Sequence, residues 1–155
     1  MPGYPQPGGP AYAGFGIRLI AYLIDAVLAT IIGFVIFFLI FVPFAALGVG
    51  SADEEFGSLL AGLGFCFGYC GLFAATLGYF TVTWGLWSTS PGKMIFGLRI
   101  VDGSGQRLGW SKAVLRTLGY FCSGLIFYIG FLLIAFDERK QGLHDKIADT
   151  FVVQG

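Results

Sequence analysis

Arg18 and Asp25 are the charged side chains of an otherwise uncharged, apolar run from Phe15 to Val42. A carboxylate near the middle of a membrane helix costs roughly 2.5–3.5 kcal/mol on insertion scales, so its presence asks for a partner or a task. Seven residues at ~100° each come to about two turns, which puts both charges on one face with about 10 Å of rise between them. Helical side chains tilt toward the N-terminus, so Asp25 leans toward Arg18. The arginine stem is long enough to carry its guanidinium back to the headgroup layer. Two chemistries fit. Carboxylates in low dielectric exchange protons for cations, which makes the pair a relay. Alternatively, the charges pin the first helix through an ion pair or hydrogen bonds. Asp25 is the one acid within the predicted spans. Transport usually needs more lining groups than that, so the pin is the preferred reading.

The element that must hold these charges is a spanning helix. The run exceeds the ~20 residues needed to cross a bilayer. Over the 155 residues, 56% are hydrophobic and 12% charged, against about 25% charged in a soluble domain. The composition excludes an ordinary soluble enzyme. Net charge is zero, which gives no reason to expect a nucleic-acid partner. No secretory signal peptide is expected, because the start lacks Lys and Arg and the first apolar run is too long. Residues 1–14, rich in Pro and Gly, are expected to form a disordered tail before a membrane domain over residues 15–153.

A second span is predicted from about Gly57 to Trp87. Gly57, Ala61, Gly64, Gly68, Gly71, Ala75 and Gly78 recur at spacings of 4 and 3 along it. Small residues in such a stripe let helix backbones approach closely, which drives packing in lipid. The neighbour is either the first span, ending near Pro43, or another copy of the chain. Between the spans, Ser51 precedes an acidic trio and is expected to cap the second helix. Trp84 and Trp87 read as an interfacial anchor. Cys66, Cys70 and Cys122 read as small thiols packed between helices.

Ser88 to Arg116 is the polar centre, with Lys93, Arg99, Arg107, Lys112 and Arg116 against Asp102. These basic residues are expected to set topology and to touch anionic headgroups. Thr89-Ser90-Pro91 is a helix-start signal. Leu98–Val101 and Thr150–Val153 read as short strands, unstable alone and satisfied by pairing. The third apolar segment, Leu118 to Phe136, either crosses or bends at Ser123-Gly124 and returns. Three crossings divide the nine Lys and Arg six against three, whereas a re-entrant segment puts all nine on one side. The positive-inside rule favours the second arrangement, with both termini and the basic loop in the cytoplasm of a multi-pass protein of the cell membrane.

The fold expected is therefore an all-α membrane protein. It has two full transmembrane helices, a third apolar segment that is re-entrant or spanning, and a short two-stranded cytoplasmic element. No metal site is expected, since His144 is the single histidine and has no second ligand nearby in sequence. His144 is expected to titrate near neutral pH as a sensor or loop contact. No catalytic triad or phosphate-binding loop is present, so neither enzymatic activity nor a cofactor is expected. The expected partners are the lipid bilayer and either a further copy of the chain or another membrane protein.

Several motifs occur in a telling order: Arg18 and Asp25, then Ser90-Pro91-Gly92-Lys93, Gly97-Leu98-Arg99-Ile100-Val101, Arg116, Gly142-Leu143-His144-Asp145 and Ala148-Asp149-Thr150-Phe151-Val152-Val153. In this the chain resembles the bacterial RDD-domain membrane proteins, named for one arginine and two aspartates. The resemblance covers about Phe15 to Val153. It implies that Arg18 is the motif arginine, Asp25 the first aspartate and Asp145 the second. It also implies transport of an unidentified ligand or cation/proton exchange, with Arg18, Asp25 and Asp145 as the motif residues.

Overall fold

A computed structural model describes residues 11–125, 129–137 and 140–155. The elements run β1 (Ala11–Tyr12), α1 (Phe15–Val49), α2 (Glu54–Trp87), α3 (Pro91–Ile95), β2 (Leu98–Asp102), α4 (Trp110–Leu125), α5 (Ile129–Phe136), α6 (Leu143–Ala148) and β3 (Thr150–Gln154). Helices α1 and α2 are both long and apolar enough to cross a membrane. The chain divides into two compact units, one of Val27–Tyr79 and one of the chain up to Ala26 with Phe80–Gly155.

The unit Val27–Tyr79 is a pair of packed helical segments. Helix α1 does not stop near Pro43 as expected but continues through it to Val49. Proline removes one backbone donor. In lipid, however, the helix remains the way to satisfy the other backbone groups, so the chain stays helical. The small-residue stripe packs against α1. Gly57 lies against the Gly48 backbone, Gly64 against Phe44, Gly68 against Phe37, and Gly71 against Ile36 and Ile40. The neighbour left open by the sequence is thus the first helix of the same chain. Gly78, at the end of the stripe, has open space where a Cβ would stand. The cap of α2 is Asp53 rather than Ser51. Asp53 Oδ1 accepts the N–H groups of Glu55 (2.9 Å) and Phe56 (3.2 Å). Cys66 and Cys70 are exposed rather than packed between helices, and so is Cys122 in α4.

The second unit is built around a small sheet of order β1-β3-β2. The expected pairing of the two sequence-predicted strands is present and antiparallel, with Ile100 opposite Val152 and Val101 opposite Phe151. A third strand joins them, with Ala11 opposite Gln154 and Tyr12 opposite Val153. The element is therefore three-stranded. The last residues of the supposed disordered tail are ordered by β3, while residues 1–10 lie outside the described residues. Tyr12 stacks on Phe151 at 5.5 Å between ring centroids, which gives the two-residue strand a side-chain anchor.

The third apolar segment is divided between α4 and α5, and residues 126–128 between them lie outside the described residues. Both α4 and α5 contact α6. Lys112 at the start of α4 pairs with Asp149 at 3.3 Å. Asp137, just after α5, pairs with Lys146 at 2.5 Å.

Candidate functional site

The sequence-predicted motif residues converge in the second unit. Arg18, Asp25, Lys93, Arg116, His144 and Asp145 are all buried. They come from α1, α3, α4 and α6, elements that place three cations and two carboxylates in one interior.

Asp145 is held by two arginines. Arg18 Nη2 donates to Asp145 Oδ2, and Arg116 Nη1 lies 2.5 Å from Asp145 Oδ1. The Gly142 N–H also donates to Oδ2 at 3.0 Å, because Asp145 occupies the third position of α6 and reaches back over its first turn. Arg18 Nη1 donates to the Lys140 carbonyl at 2.5 Å, and Arg116 Nη1 donates to Thr150 Oγ1 at 2.6 Å. Burial pushes the Asp145 carboxyl up. The Arg116 and Arg18 guanidiniums outweigh it and hold the group well below the usual carboxylate range.

Asp25 turns to different partners. Its Oδ2 accepts the Ser90 hydroxyl at 2.5 Å and its Oδ1 accepts the Gly92 N–H at 2.7 Å. Lys93 Nζ stands 3.5 Å from Oδ2 and 3.2 Å from Ser90 Oγ. Ser90, Gly92 and Lys93 face one carboxylate because Pro91 starts a short helix there, with Ser90 as its cap residue. Gly92 is required by approach. A Cβ at that position would strike the Ala21 carbonyl and stand 2.9 Å from Asp25 Cγ. Asp25 therefore fastens α3 to α1, and Arg18 fastens α6 to α1. Their common helix face is as expected, but each has its own counter-charge.

Trp84 lies between the cations. Lys93 Nζ is 5.3 Å and Arg116 Cζ 5.1 Å from its ring centroid, within the range in which an aromatic face attracts a cation. Its indole N–H has no acceptor among the described residues, so the ring contributes through its face. Tyr120 packs on Trp84 and on His144, at centroid distances of 5.0 and 4.0 Å. Burial lowers the Lys93 ammonium from an ordinary 10.5 to about 8, with Asp25 opposing and Arg116 and Arg18 adding to the fall. Burial likewise pushes His144 well below its ordinary value, against the pull of Asp145 and with the push of Arg116, Arg18 and Lys93.

Several sequence expectations change here. Lys93, Arg116 and His144 are interior groups rather than lipid or loop contacts, because the buried carboxylates claim the cations and Tyr120 covers the imidazole. His144 is neutral around pH 7 and not a sensor there. Arg18 meets Asp145, the contact expected when the tail and the basic loop share one side. Trp84 is no interfacial anchor, whereas Trp87 is exposed. Of the expected surface contacts, Arg99 and Arg107 stay exposed. The signal that Lys93, Arg116 and His144 belong inside was their place among the motifs that include Ser90 and Asp145, and composition carries no such signal.

Two apolar helices long enough to span, joined to a unit with a buried ion network, define a membrane-embedded helical protein. The chain belongs to the RDD family, whose model matches residues 12–149. It is 36% identical to the uncharacterized protein YxaI of Bacillus subtilis over 91% of this chain and 96% of that protein. It is 32% identical to the uncharacterized membrane protein YteJ of Bacillus subtilis, over 92% of this chain and 81% of that protein. A shorter match, 35% identical over 42% of this chain and 28% of the relative, is to a proline-rich antigen homolog of Mycobacterium tuberculosis. No solved structure matches the chain.

Proposed function

We propose that this RDD protein is a non-catalytic, multi-pass protein of the cell membrane that organises lipids or partner proteins, with the Arg18–Asp25–Asp145 network as its structural lock. One observation carries this reading: both carboxylates are paired with buried cations of the same chain. Asp145 is shared by two guanidiniums and a backbone N–H, and Asp25 by a hydroxyl, a backbone N–H and an ammonium. A carboxylate so engaged is already neutralised by cations of the chain, and breaking such a buried pair is costly. The parts of α1 after Ala26 and of α2 before Phe80 are each long enough, at about 1.5 Å per residue, to cross the ~30 Å core. The lock then need not sit at the bilayer centre. Both termini and the basic loop face the cytoplasm, and the third apolar segment enters and returns. The shared sheet and the contact of both α4 and α5 with α6 support this arrangement. Partners are the bilayer and either a second copy or another membrane protein.

A second reading, cation/proton exchange, draws on Lys93. The cluster holds three cations against two carboxylates, and Lys93 releases its proton at about pH 8. Proteoliposomes separate the two readings. Cation-driven proton movement that disappears in a folded Asp25→Asn protein supports exchange. Its absence from the native protein supports the lock.

A further inference from the structure

A cleft of about 610 Å³ opens where α2 ends, between that end, α3 and β2. It lies apart from the buried network, and its lining is chemically one-sided. Arg99 and Arg107 line it, and no acidic side chain does. Both arginines are exposed. Arg107 spends one N–H on the Leu86 carbonyl at 2.8 Å, which offsets the negative end of α2. The Arg99 side chain makes no hydrogen bond or ion pair among the described residues, so its guanidinium is available. The nearest carboxylate in sequence, Asp102, is occupied elsewhere. Its Oδ1 accepts the Ser104 hydroxyl and the N–H groups of Ser104 and Gln106. The Ser104 hydroxyl foremost holds the Asp102 carboxyl below its ordinary value, so it remains an anion committed to its own turn.

The other side of the cleft is apolar. Trp87 and Met94 line it with 51% and 50% of their surfaces open. Trp87 is the last residue of α2. Tryptophan at the end of a spanning helix sits at headgroup level. Two arginines beside exposed apolar side chains, at that level, match an amphiphile with a phosphate head and acyl chains. A free phosphate would have no use for Trp87 and Met94.

We infer that this cleft binds the phosphate headgroup of an anionic phospholipid, with the phosphate on Arg99 and Arg107 and the upper acyl chains on Trp87 and Met94. The inference rests on α2 spanning the bilayer. It is independent of whether the buried network is a lock or an exchanger, because its test reads lipid binding and not ion movement.

The test titrates the purified full-length protein in nonionic detergent with phosphatidylglycerol or phosphatidylcholine and counts bound lipid by native mass spectrometry. Phosphatidylglycerol should bind more tightly. Each basic residue near an anionic surface is worth about fivefold in affinity, so Arg99→Gln should weaken phosphatidylglycerol about fivefold and Arg99→Gln with Arg107→Gln about 25-fold. Arg99→Gln alone keeps the test open if loss of the Arg107–Leu86 bond unfolds the double variant. Lys146→Gln, a charge change outside the cleft, should leave binding as it is. Equal binding of the two lipids, or unchanged binding in Arg99→Gln, would overturn the inference. An equal loss in Lys146→Gln would reduce it to general surface charge. Displacement of phosphatidylglycerol by millimolar inorganic phosphate would make free phosphate the ligand and overturn the assignment to lipid.

Discussion

Arg18 and Asp145, 127 positions apart in the chain, form an ion pair in the protein interior. Arg116 holds the other carboxylate oxygen of Asp145, so a single carboxylate ties α1, α4 and α6 together. The first and last motif residues of the chain thus meet at one point, and the elements between them are assembled around it.

Removing the shared charge should therefore cost more than an ordinary substitution. Asp145→Asn leaves two buried guanidiniums without their anion, and a loss of about 3–5 kcal/mol is expected. Chemical denaturation of the purified protein in detergent measures it. Arg18→Lys keeps the charge but loses the two-pronged geometry, so a smaller loss is expected. An Asp145→Asn protein as stable as the parent would show that the pair contributes nothing.

The glycines make an internally controlled set. Gly92→Ala should destabilise by about 1–3 kcal/mol, because the new methyl meets the Ala21 carbonyl and Asp25. Gly68→Leu should part α1 from α2, since its position already faces Phe37. Gly78→Ala should be tolerated, with open space around it. Equal melting temperatures for all three variants would contradict the packing described for Val27–Tyr79 and for α3.

Much of this was legible in the sequence, for identifiable reasons. The pairing of β2 and β3 was readable because Leu98–Val101 and Thr150–Val153 are short β-branched runs that cannot stand alone. The α1–α2 contact was readable as a stripe, though not its partner, because small residues announce closeness and not identity. β1 was hidden because two residues in a Pro- and Gly-rich stretch carry no periodicity and owe their conformation to β3. The burial of Lys93, Arg116 and His144 was hidden for another reason. A basic residue near a membrane span looks like a headgroup contact until the fold brings a carboxylate to it. Pro43 misled because its helix-breaking effect, learned in water, is weaker where lipid leaves the backbone no alternative.

The pH dependence of stability should have two limbs. Below about pH 8 both folded and unfolded chains keep the Lys93 proton, and its burial cost stands in full. Between about 8 and the ordinary 10.5 the folded chain releases the proton while the unfolded chain holds it, so stability rises with pH. Lys93→Met should flatten that limb. On the acid side, neutral His144 costs stability as pH falls below its ordinary 6.5, because the unfolded chain takes up a proton that the folded chain refuses. The depressed Asp145 adds a further loss as pH falls below the ordinary carboxylate value of 3.8. Thermal melts across pH 3 to 10.5, with Lys93→Met and His144→Phe as references, would check each limb. A rise above pH 8 that persists in Lys93→Met would assign it to another group.

The central claim is that carboxylates paired with cations of the same chain make the buried network a lock. Proton flux in proteoliposomes carrying the native protein, driven by a sodium or potassium gradient, tests it most directly. The same measurement is made on an Asp25→Asn protein verified as folded. The lock gives no cation-dependent flux above empty vesicles in either preparation, together with a lowered melting temperature for Asp25→Asn. Flux from the native protein that vanishes in the folded Asp25→Asn protein would contradict it and make Asp25 part of an exchange path.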